Sequence, residues 1–167
     1  TSPAKLAKLG PEIEAITTKY DLLALNYLRS HPNCKYIFMS SGAVYGDNFE
    51  NPVTENSKSI FPINDLQHYH WYGISKLNAE IRHRALPEFS IIDIRIFNYF
   101  SHTQDMTSGF FMAEIAKSIK EGIVLKTNGE MINRDYLTPE DFYGLICNIL
   151  DIKDLNIGVD CYSLEPI

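Results

Sequence analysis

Apolar residues recur every three or four positions between Pro11 and Ser30. Ile13, Ile16, Tyr20, Leu23 and Tyr27 form one row, and Leu22, Leu25 and Leu28 form a second. That period predicts a helix, and two apolar rows predict burial on two sides, against a sheet and against another helix or a second subunit. Pro32 and Asn33 end it. Residues 35–40 change period. Tyr36-Ile37-Phe38-Met39 is a short unbroken apolar run, which suits a strand covered on both faces in a parallel sheet. Asp47 to His70 carries Pro52, Pro62 and many polar residues and reads as a loop. Trp71 to Leu86 reads as a helix stopped before Pro87, with Ile74, Leu77 and Ile81 on its packed side. Ser90 to Phe97, with Ile91, Ile92, Ile94 and Ile96, is a second strand.

The pattern then turns helical again. Asn98 to Asp105 is a loop, and Ser108 to Glu121 is a helix with Phe111, Met112, Ile115 and Ile119 on one stripe and Gly122 as its C-cap. Ile123 to Leu125 is expected as a short strand, and Asn128-Gly129 as a turn. Thr138-Pro139-Glu140-Asp141 supplies a hydroxyl cap, a first-turn proline and two acids, and opens a helix running to about Leu150. Val159 to Ser163 is expected as the last strand. Strands alternating with helices predict an α/β domain built on a parallel sheet.

Composition narrows the partners. The chain has 167 residues, enough for one compact domain, and ten Tyr and nine Phe to fill its core. A formal charge of -6 argues against nucleic acid or an anionic membrane as partner. No apolar run is long enough to span a bilayer. Cys34, Cys147 and Cys161 are scattered without metal-ligand spacing, which suits reduced thiols and a cytoplasmic setting. His68-x-His70 has no carboxylate or Cys at ligand spacing, so no metal is expected there or at His83 and His102.

The candidate chemistry lies between Lys35 and Lys76. The first strand runs into Ser40-Ser41-Gly42-Ala43-Val44-Tyr45-Gly46, a small-residue turn that displays hydroxyls. Tyr72 and Lys76 stand four residues apart, hence on one helix face. An ammonium beside a phenol favours the phenolate, which turns the Tyr into a proton-transfer group. A Ser hydroxyl at the strand end can hold a substrate oxygen during that transfer. Each piece has a plainer reading: Ser-Ser-Gly is ordinary turn chemistry, and a Tyr and Lys on a helix are often a solvated pair.

The Ser40–Gly46 turn, Tyr72-x-x-x-Lys76, Arg95-Ile96-Phe97-Asn98 and Arg134-Asp135-Tyr136 come in an order that resembles the extended short-chain dehydrogenase/reductases, the NAD-dependent epimerase/dehydratases of nucleotide sugars. The resemblance covers about Ile13 to Ser163. It implies a partial doubly wound, Rossmann-like parallel sheet over residues 1–99 that carries the catalytic residues. It implies a small α-rich substrate lobe, with a returning helix and strand, over residues 100–167. It implies catalysis by Ser41, Tyr72 and Lys76. Tyr72, Lys76 and the backbone at Phe97 would contact NAD or NADP. Ser41, Asn98 and Arg134 would hold a nucleotide sugar, with the Arg134 guanidinium on the diphosphate. Gly42-Ala43 lacks the acid and carboxylate base of the 4,6-dehydratases, which tilts the reading toward an epimerase or reductase. The helices Pro11–Ser30 and Trp71–Leu86 resemble the pair through which this family dimerises.

The chain also departs from the family. No glycine cluster forms the dinucleotide fingerprint, and Ala15 to Lys19 lacks the family's Asn. The chain is therefore expected to be the middle and carboxyl portion of a larger enzyme, with weak or absent cofactor binding and no activity alone. A non-catalytic dimerising remnant and a reductase of a small carbonyl compound remain as alternatives.

Overall fold

The computed structural model describes residues 6, 8–47, 49, 51–129 and 134–163. Its elements are α1 (Glu12–Ser30), β1 (Tyr36–Ser41), a single 3-10 turn (Gly42–Tyr45), α2 (His70–Arg84), β2 (Ile91–Ile96), α3 (Phe111–Glu121), α4 (Pro139–Asp151) and β3 (Asn156–Cys161). The three strands form one parallel sheet in the order β1-β2-β3. Tyr36 pairs with Ile91 and Ile91 with Asn156, so Ser41, Ile96 and Cys161 end side by side. Ligand sites of parallel sheets lie beyond such carboxyl ends.

Strand alternation sorts β2 between two layers. Ile92 and Ile94 face Ile149, Cys161 and Leu137, with Phe142, Leu145 and Ile146 of α4 packed against them. Ile91 faces the other way, onto Leu25, Leu28 and Phe89. Fully burying one such isoleucine contributes roughly 1.5–3 kcal/mol. On the α1 side, Asp93 and Arg95 continue the row begun by Ile91, so this layer is partly ionic. His83 of α2 is fully buried and bonds Asp93 at 2.6 Å and Asp21 of α1 at 2.7 Å. Arg82 joins Asp21 at 2.9 Å, and Arg84 joins Asp93. Both ring nitrogens meet carboxylates, which only accept, so the imidazole is held as a cation. Burial pushes its pKa down, but the two carboxylates push harder and raise it overall.

Two helix ends are closed by side chains from elsewhere. Asn156 of β3 donates its amide to the carbonyls of His83 in the last turn of α2 and of Leu86 and Phe89 just past it. Lys35 donates to the carbonyls of Ile149, Leu150 and Ile152 at the end of α4. At the other end of α4, the Thr138 hydroxyl accepts from the Asp141 amide at 3.2 Å.

Four expectations change. Residues 123–125 form no strand, since no described strand pairs with them. The last strand is Asn156–Cys161 and not Val159–Ser163, because its ladder to Arg95 and Ile96 ends at Asp160 and Cys161. Helix α3 starts at Phe111, behind Gly109 at φ 73°, a left-handed backbone that a helix does not run through. Ile81 and Ile119 are 58% and 78% exposed, not packed. For Ile81 the reason is that α2 faces the sheet with Lys76, Glu80 and His83, which turns its opposite side outward. Tyr20, Leu23 and Tyr27 likewise lie open, at 64%, 58% and 56% exposure, so a single chain covers only the Leu25 and Leu28 side of α1.

Candidate active site

β1 delivers Ser41 to the rim of the sheet. Its Oγ accepts from the Ala43 amide at 3.2 Å, capping the 3-10 turn. That turn seats directly under α2. A Cβ on Gly73 would stand 2.2 Å from the Ala43 carbonyl oxygen, a collision with backbone that cannot move aside. A glycine beside Tyr72 therefore lets the helix come close to the turn, so that the Tyr72 phenol and the Ser41 hydroxyl line the same cleft. Gly42 gives the same licence on the other side, where the Phe97 ring comes within 2.4 Å of the position a Cβ would take.

Burial is the largest influence on Tyr72 and raises its pKa, while the neighbouring Ser41 hydroxyl pulls it part of the way back. Lys76 donates to the Met39 carbonyl at 2.7 Å. Its Nζ lies 4.5 Å above the centre of the Phe38 ring and 5.7 Å from that of Tyr72. Burial pushes Lys76 down, opposed by the carboxylates of Asp21 and Glu80. Its ammonium is thus engaged with a strand carbonyl and two aromatic faces. The Ser41 hydroxyl is a group that opposes the effect of burial on Tyr72.

One cleft of about 660 Å³ gathers all six residues singled out from the sequence: Ser41, Tyr72, Lys76, Phe97, Asn98 and Arg134. Phe97 lies between Tyr45, Phe49 and Tyr162, so its ring builds the wall. Asn98 donates its amide to the Asp135 carbonyl at 2.9 Å and its own carbonyl accepts from the Leu137 amide. It therefore ties the loop after β2 to the segment that carries Arg134. Asp135 holds the start of this segment to the chain beyond β3 by accepting from the Ser163 amide at 2.8 Å. Arg134 itself is exposed at the rim. No Asp or Glu is among the described residues lining the cleft. A cleft with two cationic side chains and no lining carboxylate suits an anionic ligand. Its phenol and hydroxyl can shuttle one proton at a bound oxygen.

Pattern reading passed over several residues that shape this site. Glu80 and Arg95 lie just behind it, joined by bonds of 2.6–3.1 Å. The available signal was a charge inside an isoleucine-rich strand and an acid one turn after Lys76. His70, at the start of α2, is buried. Its Nδ1 accepts from the Gln67 amide at 2.9 Å, so its other nitrogen carries the proton toward Asp47 at 3.2 Å and ties the 47–69 loop to the helix. Among the described residues, no group of three His, Cys, Asp or Glu could hold a metal ion, and no helix is long and apolar enough to cross a membrane.

Solved structures share this architecture. A UDP-N-acetylglucosamine 4-epimerase from Methanobrevibacter ruminantium M1, in complex with UDP-N-acetylmuramic acid, is 22% identical, with a TM-score of 0.71 over 88% of this chain and 47% of its own. RMD from Pseudomonas aeruginosa, complexed with NADPH, is 21% identical, with a TM-score of 0.68 over 88% of this chain and 51% of its own. A dTDP-glucose 4,6-dehydratase from Bacillus anthracis str. Ames, in complex with NAD, is 18% identical, with a TM-score of 0.72 over 88% of this chain and 46% of its own. The chain spans about half the length of these proteins. No curated protein matches it. Residues 11–158 match the sequence profile of the NAD dependent epimerase/dehydratase family, and the chain belongs to that family.

Proposed function

We propose that the intact polypeptide carrying this chain is an NAD(P)-dependent epimerase or reductase of a nucleotide sugar, with Ser41, Tyr72 and Lys76 as its catalytic residues. The observation that carries the reading is the single cleft in which these three meet Phe97, Asn98 and Arg134. Residues 1–99 are the cofactor-side part and residues 100–167 the substrate lobe with its returning helix and strand.

The residues fit one end of the dinucleotide. The Tyr72 hydroxyl and the Lys76 amine suit a nicotinamide ribose, beside the Phe97 backbone. The sequence holds no glycine-rich dinucleotide fingerprint, and the glycines of the turn beside the cleft, Gly42 and Gly46, have their Cβ positions crowded by Phe97 and Ile60. This chain alone is therefore a weak cofactor binder and inactive. A bound nicotinamide supplies hydride exchange with a sugar carbon. Tyr72 takes or returns the hydroxyl proton at that carbon, and Ser41 holds the same oxygen. Arg134 meets the diphosphate at the rim. Gly42-Ala43 stands where the 4,6-dehydratases carry their acid and base, which supports epimerisation or reduction over dehydration. Arg134 also supports a nucleotide sugar over a small uncharged carbonyl compound.

Two further readings belong here. The open row of Tyr20, Leu23 and Tyr27 on α1, beside α2 with its exposed Ile81, supports a two-fold homodimer burying both helices. Cys34, Cys147 and Cys161 are not paired with one another, which is compatible with the cytoplasmic setting we propose. The test of function is incubation of the intact polypeptide with NAD+ or NADPH and UDP-, dTDP- and GDP-hexoses, with products read by NMR. Turnover of one of them to a 4-epimer or a reduced sugar is expected. Turnover of none, with a folded protein that binds dinucleotide, contradicts the reading. Micromolar NAD affinity of the isolated chain, by calorimetry, contradicts the assignment of its binding groups.

A further inference from the structure

Behind the cleft lies a second set of polar groups, almost removed from water. Glu80 is 4% exposed and stands one helical turn after Lys76. Its carboxylate accepts from the Ser40 hydroxyl at 2.5 Å, from Arg95 Nε at 3.0 Å and from Arg95 Nη2 at 2.6 Å. Arg95 Nη1 donates to the Tyr45 hydroxyl at 2.6 Å, and that hydroxyl donates to Asp160 at 2.9 Å. Gly158 leaves room for the guanidinium, since a Cβ there would stand 2.6 Å from Nη2. One carboxylate thus joins helix α2, the end of β1, the end of β2 and, through Arg95 and Tyr45, the 3-10 turn and the end of β3.

Stability does not explain this arrangement. A buried ion pair is often no more stabilising than apolar side chains of the same size. It does differ from them in geometry. An apolar helix face accepts small slides along a sheet, whereas a bidentate guanidinium–carboxylate pair tolerates one register. Ser40 precedes Ser41, and Glu80 follows Lys76 on the same helix face. The Ser40–Glu80 bond therefore closes, about two turns further along α2, the same gap between β1 and α2 across which Ser41 and Tyr72 face the cleft.

We propose that Glu80 is a positioning residue: held by Arg95, it clamps the end of β1 to α2 through Ser40, and so fixes the Ser41 hydroxyl against Tyr72 and Lys76. The inference rests on reading that trio as the proton-transfer site. Glu80 does not line the cleft itself; it acts through Ser40, which does, and so on the placement of Ser41 against Tyr72.

The test uses the intact polypeptide with 4-13C-tyrosine, the Tyr72 resonance being assigned by its loss in Tyr72→Phe. Glu80→Gln and Ser40→Ala should each move the Tyr72 resonance by more than its line width and leave Tyr20 and Tyr27 in place. In the same proteins, turnover of UDP-glucose, UDP-N-acetylglucosamine, dTDP-glucose or GDP-mannose, whichever the wild type uses fastest, should fall about tenfold at saturation in Glu80→Gln, with KM within about twofold, as expected for misplacement by a fraction of an ångström. Glu80→Asp should recover part of that loss. In a Tyr72→Phe background, Glu80→Gln should change nothing further. An unmoved Tyr72 resonance overturns the inference, and so does a loss that multiplies independently of Tyr72→Phe. If Glu80→Gln does not fold, Ser40→Ala, which removes only a hydroxyl, carries both measurements. A moved resonance in a protein whose wild type turns over none of these sugars upholds the clamp and rejects the reaction.

Discussion

Replacing His83 by Leu should be among the most damaging single changes in the chain, although the new side chain is apolar and about as large. His83 is fully buried between Asp21 and Asp93, which are themselves 2% and 0% exposed. Leucine removes both ring donors, at 2.7 and 2.6 Å, and leaves two buried carboxylates with one arginine each. Breaking a buried ion network by removing one partner costs roughly 3–5 kcal/mol, because the stranded charge keeps its desolvation penalty. That is a large share of the roughly 5–15 kcal/mol that holds a domain together. For a domain of this size it corresponds to a fall in Tm of roughly 6–20 °C. Urea unfolding of the intact polypeptide near pH 6 measures it. Stranded charge also predicts the rescue: adding Asp21→Asn and Asp93→Asn to His83→Leu should recover at least half of the loss. A cost below about 1 kcal/mol, or a loss that the two asparagines deepen, refutes the reasoning.

The remaining predictions are more compact. His83 has a raised folded-state pKa, so its contribution is fully present below the ordinary imidazole value of 6.5 and is lost as pH rises through a higher folded-state midpoint. Asp21 has a lowered pKa, so its contribution is present above 3.8 and is lost as pH falls through a lower folded-state midpoint. The stability gap between wild type and His83→Leu, followed by melting across pH, should be widest between those limits, and a gap that grows above pH 8 contradicts this. Gly73→Ala puts a methyl against the Ala43 carbonyl and should lower turnover at least tenfold while the protein stays folded by circular dichroism; full activity would mean that α2 need not sit so close. Tyr27→Glu should convert the proposed homodimer to a monomer in light scattering, since it places a charge in the exposed apolar row of α1; a wild-type monomer at high concentration contradicts the dimer itself.

The residues of the cleft were legible because they sit where pattern and position agree. Ser41 follows an apolar strand, Asn98 follows a β-branched one, and Tyr72 and Lys76 share a helix face, so topology brings them together at the sheet's carboxyl edge. The ionic layer behind them was not legible. A charge on a helix reads as solvent-facing, yet Glu80 and His83 face the sheet, and their partners Arg95 and Asp21 lie 15 and 62 residues away. Asp93 and Arg95 were visible as charges in an isoleucine-rich strand, but nothing local told which helix neutralised them. The last strand was placed late because Asn156 and Gly158 are poor strand residues. Both have other work: Asn156 caps α2, and Gly158 makes room for Arg95. Lys76 is a subtler case. Spacing put it beside Tyr72, but only the fold reveals that its ammonium turns to the Met39 carbonyl.

The central claim is that Tyr72 carries the proton, and the turnover of Tyr72→Phe tests it most directly. The substitution removes one hydroxyl from a half-buried ring and leaves the Phe97 wall, Asn98 and Arg134 in place. Folding and nucleotide-sugar binding should be nearly unchanged. Turnover by the intact polypeptide of the nucleotide sugar it uses fastest should fall by a factor of about 10² to 10⁴, the usual worth of a positioned proton-transfer group. Ser41→Ala should fall by less, because it removes a hydrogen bond and not the carrier. Turnover of Tyr72→Phe within about twofold of wild type would contradict the account and leave the Ser41–Tyr72–Lys76 cluster as packing at the end of a sheet.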